Sequence, residues 1–493
     1  MSNIIEMIGI TKTFSGITAN DNITLRLKKG EIHALLGENG AGKTTLMNIL
    51  FGLYKLEKGV INKNGKRIQI NSPNDARKLG IGMVHQHFKL VHNFTVLENI
   101  ILGEEPVKNG ILSLNSVRNQ IIELSNRYKF NIEPDSIVSE ITVGMQQRVE
   151  ILKMLYRNNE ILIFDEPTAV LTPQEIDELM RIMKNLAAEG KSILFITHKL
   201  NEIKTAADRC TVLRNGKLVG TVDVELVSKE KLSEMMTGRN LNFKIKKIDR
   251  QPGEALLKVE NLTFTNKTHG KALVNNINFE VCANEIVCIA GIDGNGQQEL
   301  IQLIAGMLKP DSGSIDIKGK DIAHIPEDRQ KHGLIMDYSI GYNMVLQNYH
   351  APQFNKFGFL NINTIYKHAD TLIENFDIRA GQGARTIVRN MSGGNQQKVI
   401  VAREIYRGCN LLAAVQPTRG LDIGACEYIH RQLVMERDNG RGVLLVSFDL
   451  DEVMDISDRI LVIYEGKIVA NVLPKDVSYK ELGLLMTGAA MHN

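Results

Sequence analysis

The chain has 493 residues, 43% hydrophobic and 23% charged, which is typical of a globular protein with room for roughly two to four domains. Its net charge of +3 gives no reason to expect a nucleic-acid partner. No apolar run reaches the roughly 18–20 residues of a membrane helix and no signal-peptide pattern is seen, so any membrane role is expected to act through a partner. The five cysteines are scattered without a C-x-x-C pair, which predicts reduced, mostly buried thiols.

In the first half of the chain, short apolar runs alternate with segments of helical periodicity. This alternation predicts an α/β domain with a mostly parallel core sheet. The predicted strands cover residues 4–8, 23–27, 32–36, 161–164 and 192–197, and the predicted helices cover residues 46–51, 72–79, 112–130, 147–156 and 175–189.

Residues 37–45 read GENGAGKTT and fit the pattern G-x-x-x-x-G-K-[ST] between a predicted strand and a predicted helix. Glycines let successive N–H groups point into one concavity, and the helix N-terminus adds a positive dipole end. Lys43 is placed to reach the β- and γ-phosphates, and Thr44 to offer its hydroxyl to Mg²⁺. The sequence therefore predicts a nucleotide-phosphate loop whose candidate contacts are Gly37, Glu38, Asn39, Gly40, Ala41, Gly42, Lys43, Thr44 and Thr45.

Two apolar strands end in polar side chains that suit the chemistry of a bound nucleotide. Asp165 and Glu166 follow residues 161–164, where α/β folds bind their ligands. Asp165 is predicted to hold Mg²⁺ and Glu166 to polarise the attacking water; the alternative is an ordinary acidic strand end. His198 ends the run ILFITH and is predicted to contact the γ-phosphate; the alternative is that a lone histidine at a strand end is simply a polar residue at the surface.

Two further residues of the first half have weaker local signals. Gln86, in MVHQHF, is predicted to reach the metal or the water. Phe14 is predicted to stack on adenine, with a place in the core as its alternative.

The second half of the chain repeats the first. GENGAGKTT returns as GIDGNGQQE, VGMQQRVEILKMLYR as GGNQQKVIVAREIYR, and DEPTAVLT as VQPTRGLD. Such a repeat indicates duplication of one module. We predict a first domain over residues 1–238, a basic linker over residues 239–254 and a second domain over residues 255–493. A solvated connector is preferred for the linker over one that touches lipid or nucleic acid.

The motif MSGGNQQ, residues 391–397, resembles the signature of ATP-binding cassette (ABC) ATPases. With the phosphate loop, Gln86, the two carboxylates and His198, it covers the motif set of that family in both copies. The resemblance implies two tandem P-loop NTPase domains of α/β class, each with a mostly parallel core sheet, an antiparallel β part and a helical subdomain. It also implies that ATP bound with Mg²⁺ meets the signature of an opposite domain, here through Ser392, Gly393, Gly394, Asn395, Gln396 and Asp422.

The two copies are degenerate at complementary positions. The second copy has Gln297 and Gln298 at the positions of Lys43 and Thr44, and its carboxylates and histidine become Val415, Gln416 and Phe448. A neutral amide cannot replace an ammonium facing several phosphate charges. The first copy has the weaker signature, with Thr142 and Val143 in place of Ser392 and Gly393, and Thr172 in place of Asp422. One strong and one weak ATP site are therefore expected.

This asymmetry resembles the fused ATPase subunits of bacterial monosaccharide and nucleoside importers, and most resembles the nucleoside importers. The resemblance implies two integral-membrane permease subunits, a periplasmic or lipid-anchored solute-binding protein, and a peripheral position on the cytoplasmic face of the cell membrane. Closure of the two halves would be transmitted through the segments after Gln86 and after Glu327. A monosaccharide importer is the alternative, and a soluble cassette ATPase acting in translation is a remote one. A DNA-repair cassette would need a long coiled coil, and no sustained heptads appear.

Overall fold

The computed structural model describes residues 2–14, 17–85, 89–108, 111–112, 114–168, 171, 173–238, 245, 247–266, 271–292, 294–319 and 321–488. The chain divides into two compact units, residues 1–241 and 242–493.

The first unit contains an antiparallel sheet, a mostly parallel sheet and a set of helices. Its strands are β1 (Asn3–Phe14), β2 (Ile17–Lys28), β3 (Ile32–Leu36), β4 (Lys58–Lys63), β5 (Lys66–Ile68), β6 (Ile81–Val84), β7 (Val107–Lys108), β8 (Ile111–Leu112), β9 (Ile161–Asp165), β10 (Ser192–Thr197), β11 (Arg209–Arg214) and β12 (Lys217–Asp223). Its helices are α1 (Lys43–Leu50), α2 (Pro73–Lys78), α3 (Val96–Ile101), α4 (Leu114–Tyr128), α5 (Val143–Tyr156), α6 (Pro173–Ala188), α7 (Leu200–Ala206) and α8 (Lys229–Thr237), with 3₁₀ turns at Val138–Glu140 and Val224–Leu226.

The mostly parallel sheet has the strand order β12-β11-β3-β10-β9-β6, with only the edge strand β12 antiparallel to its neighbour among the described strands. It is buried on both faces, because alternate residues of β9 and β10 belong to two apolar clusters. Leu162, Phe164 and Phe195 pack towards the helices α3–α6. Ile163 and Leu194 pack towards α1 and the antiparallel sheet β2-β1-β4-β5. Runs that are apolar throughout, rather than alternating, are the sequence pattern of such strands.

The second unit repeats this plan. Its strands are β13 (Ala255–Asn266), β14 (Lys271–Cys282), β15 (Glu285–Ala290), β16 (Ser312–Ile317), β17 (Ile322–Ile325), β18 (Asn355–Lys356), β19 (Phe359–Leu360), β20 (Leu411–Val415), β21 (Gly442–Ser447), β22 (Arg459–Tyr464) and β23 (Lys467–Val472). Its helices are α9 (Gln297–Ile304), α10 (Ile340–Met344), α11 (Ile362–Asn375), α12 (Gly393–Tyr406), α13 (Ile423–Asp438), α14 (Leu450–Ile456) and α15 (Tyr479–Met486), with a π turn at Arg329–Gly333 and 3₁₀ turns at Gly383–Arg385, Val388–Asn390 and Pro474–Asp476.

The strand order of the main sheet in the second unit is β17-β20-β21-β15-β22-β23. It matches β6-β9-β10-β3-β11-β12 strand for strand, which confirms the predicted duplication at the level of topology. The α/β class and the two P-loop NTPase domains, each with an antiparallel β part and a helical subdomain, are as predicted.

Part of the predicted linker is fixed to the second unit. Lys247 donates from Nζ to the backbone oxygen of Ser457 at 2.7 Å and contacts Asp458 at 3.2 Å. Arg437 donates to the Ile248 carbonyl at 2.5 Å. The described part of residues 239–254 is therefore held by hydrogen bonds rather than solvated throughout.

Three of the five cysteines, Cys210, Cys288 and Cys409, are buried, and all five are free thiols, as the sequence predicts. Over the described ranges, no helix combines the length and the apolar character needed to cross a membrane.

Candidate functional site

Strand order brings the predicted site residues of the first unit to one edge of the sheet. Strand β10 lies between β3 and β9, with Thr197 beside Leu36 and Ile196 beside Asp165. The phosphate loop after β3, His198 after β10 and the carboxylates at the end of β9 therefore lie side by side. The strand of the ILFITH run ends at Thr197, so His198 is the first residue beyond it.

The phosphate loop adopts a conformation that depends on glycine. Gly42 lies at φ 94° and immediately precedes α1, so it takes a left-handed conformation that few other residues tolerate. A Cβ at this position would lie 2.3 Å from the Ala19 carbonyl oxygen and 2.5 Å from Asn20 Nδ2. Asn20 is fully buried and donates from Nδ2 to the Gly42 carbonyl at 3.0 Å. The loop is thus held from outside by a residue of strand β2.

Lys43 lies folded over the loop rather than extended into solvent. Its side chain is 5% exposed and donates from Nζ to the carbonyls of Gly37 at 2.6 Å and Glu38 at 3.0 Å. Burial lowers the pKa of Lys43, against the opposing charges of Glu166 and Asp165. An ammonium whose hydrogen bonds go to uncharged carbonyls, at the start of a helix, is suited to a multiply charged anion.

Thr44 and Asp165 form a pair of hard oxygen donors. Thr44 donates from Oγ1 to Asp165 Oδ1 at 3.4 Å. Burial and the neighbouring Glu166 carboxylate raise the pKa of Asp165 to about 6. Because burial disfavours the charged form of this carboxylate, a divalent cation held by Asp165 and the Thr44 hydroxyl would stabilise that form.

Glu166 begins a sharp change of direction at the end of β9. It has a φ of 46°, which is strained for a residue with a side chain, and its N–H donates to the Ile196 carbonyl at 3.0 Å. Its Oε1 lies 3.4 Å from His198 Nδ1. Burial raises the pKa of Glu166, but the hydrogen bond and charge of His198 together with Lys43 outweigh burial and keep that pKa below its ordinary value. Glu166 is therefore poised as a charged hydrogen-bond acceptor.

The remaining predicted residues of the first copy differ in how much the structure says of them. Gln86 lies outside the described residues, although strand β6 that leads to it ends at Val84, beside Phe164 of β9. Phe14 is 38% exposed, so its alternative place in the core is wrong. Its ring packs edge-on against Tyr54 at 5.1 Å. Stacking on adenine remains a prediction.

The second unit repeats the loop with Gln297 in place of the lysine. Gly296 has a φ of 95° ahead of α9, and Gln297 is 3% exposed and donates from Nε2 to the Ile292 carbonyl at 3.0 Å. Gln416 has a φ of 47°, as Glu166 does in the first copy. Gln416 Nε2 is buried without a hydrogen-bond partner among the described residues. The backbone frame is thus retained while the ammonium and both carboxylates are absent.

The signature of the second copy lies at the start of helix α12. Ser392 is its N-cap and also accepts from Asn395 Nδ2 at 2.9 Å. A Cβ on Gly394 would lie 3.6 Å from Asp422 Oδ2, so Asp422, the N-cap of α13, is adjacent. Gln396 is buried and donates to the Val388 carbonyl at 3.1 Å, a contact within its own unit. Its predicted ATP contact is untested and stays a prediction.

In the first copy the start of the corresponding helix, α5, lies against the carboxylate of Glu175. Thr142 is the N-cap of α5 and accepts from the Met145 N–H at 3.3 Å. A Cβ on Gly144 would lie 1.9 Å from Glu175 Oε1. A carboxylate beside this helix N-terminus disfavours a phosphate there, which agrees with the predicted weakness of this signature.

Two residues of structural importance to the site were missed in the sequence. Asn20 carries no local signal, because its contact to Gly42 depends on how strand β2 meets the loop. Arg329 had a detectable signal, since IPEDRQ in the second copy stands where the first copy has VHQHFK.

Known proteins match this chain over most of its length. The family model described as "ABC transporter" matches residues 20–169 and 274–419. The chain is 51% identical to the nucleoside import ATP-binding protein NupA of Lactococcus lactis, over 98% of both chains. It is 52% identical to the guanosine import ATP-binding protein NupO of Bacillus subtilis, over 99% of this chain and 98% of that protein. It is 43% identical to the glucose import ATP-binding protein TsgD13 of Haloferax volcanii, over 98% of this chain and 96% of that protein.

Among solved structures, the archaeal ribosome recycling factor aABCE1, in complex with the ribosomal stalk protein aP1, aligns with a TM-score of 0.63. The identity is 19%, covering 92% of this chain and 87% of that one. At this identity the likeness concerns the fold alone.

Proposed function

The chain belongs to the ABC transporter family and is one of its ATP-binding import subunits, an ATPase, and we propose that the solute whose import it energises is a nucleoside. The observation that carries this proposal is the identity of 51–52% over nearly the full length to two proteins named for nucleoside and guanosine import. The relative named for glucose import is more distant, at 43%. No residue of this chain needs to contact the solute, so the assignment rests on relatedness.

The described site residues fit a magnesium ion bound with ATP. Magnesium takes one or two protein oxygens and fills its other positions with phosphate and water, and Thr44 and Asp165 offer such a pair at 3.4 Å. When bound, the ion neutralises phosphate charge. The raised pKa of Asp165 supports the fit, because a nearby cation would relieve the cost of its charged form.

The chain's own groups divide the work of hydrolysis. Lys43 supplies a positive charge for the β- and γ-phosphates, which the loop N–H groups surround. Glu166, kept charged by His198, accepts a hydrogen bond from the attacking water and orients it. Gln86 is proposed to assist at the same place. Ser392 and Gly394 of the second copy are proposed to contact the γ-phosphate in trans, with Asp422 beside them; their position at a helix N-terminus supports this role.

The proposed assembly contains two integral-membrane permease subunits and a periplasmic or lipid-anchored solute-binding protein. The chain would bind peripherally at the cytoplasmic face of the cell membrane, and no nucleic acid would take part. ATP binding would close the two halves, and hydrolysis at the site of Lys43 would reopen them.

The test is uptake of radiolabelled guanosine and radiolabelled ribose in a strain that lacks this gene, complemented with the wild-type chain or with Lys43→Ala. We expect guanosine uptake to be restored by the wild type and not by Lys43→Ala, with ribose uptake unchanged throughout. Restoration of ribose uptake alone would establish the monosaccharide alternative. Cofractionation of the chain with ribosomes instead of membranes would favour the role in translation.

A further inference from the structure

A segment of the second unit links the two motifs that we propose to contact ATP in trans. We call residues 327–330 the EDRQ segment; it follows strand β17, and Glu327 occupies the position of Gln86 in the first copy. Glu327 pairs with the side chain of Arg419. Gln330 donates from Nε2 to Gln396 Oε1 on helix α12 at 3.4 Å. The segment is therefore tied both to the loop that leads to Asp422 and to the signature helix.

Arg329 lies at the centre of this network. It donates from Nη1 to the Arg419 carbonyl at 2.9 Å. Its Nη2 lies 2.9 Å from the position that a Cβ on Gly393 would take and 3.8 Å from that of Gly420. Its Nε is buried with no hydrogen-bond partner in the part of the chain that the structure describes. A guanidinium that approaches two backbone stretches at once uses a planar fork that lysine lacks.

This contact gives a physical reason for one difference between the two signatures. Glycine at position 393 leaves room for the guanidinium, because any side chain there would have to displace Nη2. The first copy has the β-branched Val143 at the matching position. The unpaired, buried Nε is a cost that stability alone does not explain.

We propose that Arg329 is a positioning residue that couples the EDRQ segment to the Ser392 end of helix α12 and to the Asp422 loop. A movement of the segment would then shift both proposed ATP contacts together. The proposal rests on the proposed function, since it takes the segment after Glu327 as the route of communication with the permeases.

The experiment uses the full chain assembled with its permeases in liposomes, and compares Arg329→Ala and Arg329→Lys with wild type. Lys331→Ala is the matched control, because Lys331 is an exposed cation two residues away whose described contact to Asp328 uses only its backbone N–H. The readout is the ratio of ATPase rate with permeases and solute-loaded binding protein to the rate of the chain alone. Thermal unfolding of each variant is measured in parallel.

We expect Arg329→Ala to lower this ratio about tenfold, within the range of coupling free energies between sites, and Lys331→Ala to leave it unchanged. Arg329→Lys is expected to lose most of the ratio as well, because an ammonium cannot reach both backbone stretches. If Arg329→Ala does not fold, Arg329→Lys decides the matter. The wild-type ratio in a folded Arg329→Ala or Arg329→Lys variant would overturn the proposal.

A double-variant cycle separates coupling from two independent local effects. Gly393→Ala is expected to displace the guanidinium and lower the ratio as Arg329→Ala does. The double variant should be no worse than the more affected single variant, because both changes remove one interaction. Additive losses would show that Gly393 and Arg329 act separately, and would overturn the proposal. A wild-type ATPase that permeases do not stimulate at all would instead overturn the proposed function.

Discussion

The two phosphate loops of this protein have nearly the same backbone but differ in the side chain that folds over them, which is a lysine in the first copy and a glutamine in the second. Gly42 and Gly296 have φ values of 94° and 95°, and each precedes a helix whose first residue folds back over the loop. Lys43 donates to the Glu38 carbonyl at 3.0 Å, and Gln297 donates to the corresponding Ile292 carbonyl at 3.0 Å. The comparison teaches that the shape of the loop is retained when its lysine is replaced by glutamine, and we therefore expect its capacity for ATP to depend on a few charged side chains.

The largest expected effect concerns the first residue of the helix that follows each phosphate loop, Lys43 in the first copy and Gln297 in the second. Lys43→Ala removes the ammonium that faces the β- and γ-phosphates, and we expect the ATPase rate to fall by about 10²–10³-fold, as for loss of a transition-state donor. Gln297→Ala removes no charge and should leave the rate within about twofold of wild type. Steady-state ATPase assays of both variants in the assembled transporter measure the contrast. Equal losses would mean that the two loops are equivalent in function.

The next effect concerns the residue at the strained strand end. Glu166→Gln keeps shape and φ but removes the charged acceptor, so we expect ATP binding to persist and turnover to fall by roughly 10²-fold. Gln416→Ala at the matching position should leave turnover unchanged, since no carboxylate exists there. Nucleotide-binding and single-turnover measurements separate the two steps. Wild-type turnover in Glu166→Gln would remove this residue from its catalytic role.

A matched pair of helix caps tests the contrast between the two signatures. Ser392→Ala and Thr142→Ala each delete an N-cap and should each lower the free energy of unfolding by about 1 kcal/mol. Only Ser392→Ala should also lower the ATPase rate, by about tenfold, through loss of a charge-assisted hydrogen bond to phosphate. Substitutions at the two matching glycines, Gly394 and Gly144, would be less informative, because a side chain at Gly144 would clash with Glu175 in its own unit. A larger ATPase loss in Thr142→Ala would contradict the cross-domain assignment.

The smallest expected effect is a pH dependence confined to the first copy. Since the pKa of Asp165 is raised to about 6, its carboxyl is protonated below that pH in the metal-free protein, and Mg²⁺ affinity should fall roughly tenfold per pH unit below about 6. The same raised pKa means that the folded chain keeps a proton on Asp165 that the unfolded chain has lost, so the contribution of Asp165 to the free energy of unfolding without metal should decrease as pH rises from about 4 to about 6. Asp165→Asn is the control: the difference in unfolding free energy between wild type and this variant should carry the contribution of Asp165, and the loss of Mg²⁺ affinity below about pH 6 should be absent from the variant. Magnesium titrations of ATPase rate at several pH values, with denaturant unfolding, provide the measurement.

Sequence reasoning located the central strands well because their apolar runs are buried on both faces. The predicted ranges 32–36 and 192–197 coincide with β3 and β10. The predicted ranges 4–8 and 23–27 are shorter than β1 and β2. These strands have twelve residues each and contain register shifts that interrupt the alternation of apolar and polar side chains. The predicted helix begins at Gln147, whereas α5 begins at Val143, after its N-cap Thr142. The β-branched Val143 and the following glycine have low helix propensity, so the sequence pattern did not indicate this first turn.

The site was predictable to the extent that its residues lie in contiguous motifs. Strand order then explains why the ends of β3, β9 and β10 converge, which pattern alone could only imply. The contact of Asn20 with Gly42 and that of Arg329 with Gly393 could not be read from the sequence, because each depends on the packing of distant segments. The pKa shift of Asp165 likewise arises from burial and from the nearness of Glu166.

The left-handed backbone at Gln416, with a φ of 47°, has an evolutionary consequence. Such a conformation costs free energy of order 1–3 kcal/mol, and in the first copy it belongs to Glu166, the carboxylate that we propose to orient the attacking water. In the second copy the cost persists although the carboxylate is gone. Retention of this cost without the carboxylate is the pattern expected when one copy of a duplicated module exchanges side chains and keeps its backbone. We therefore propose Gln416→Glu, with matching exchanges at Gln297 and Val415, as the starting point for engineering a second hydrolytic centre.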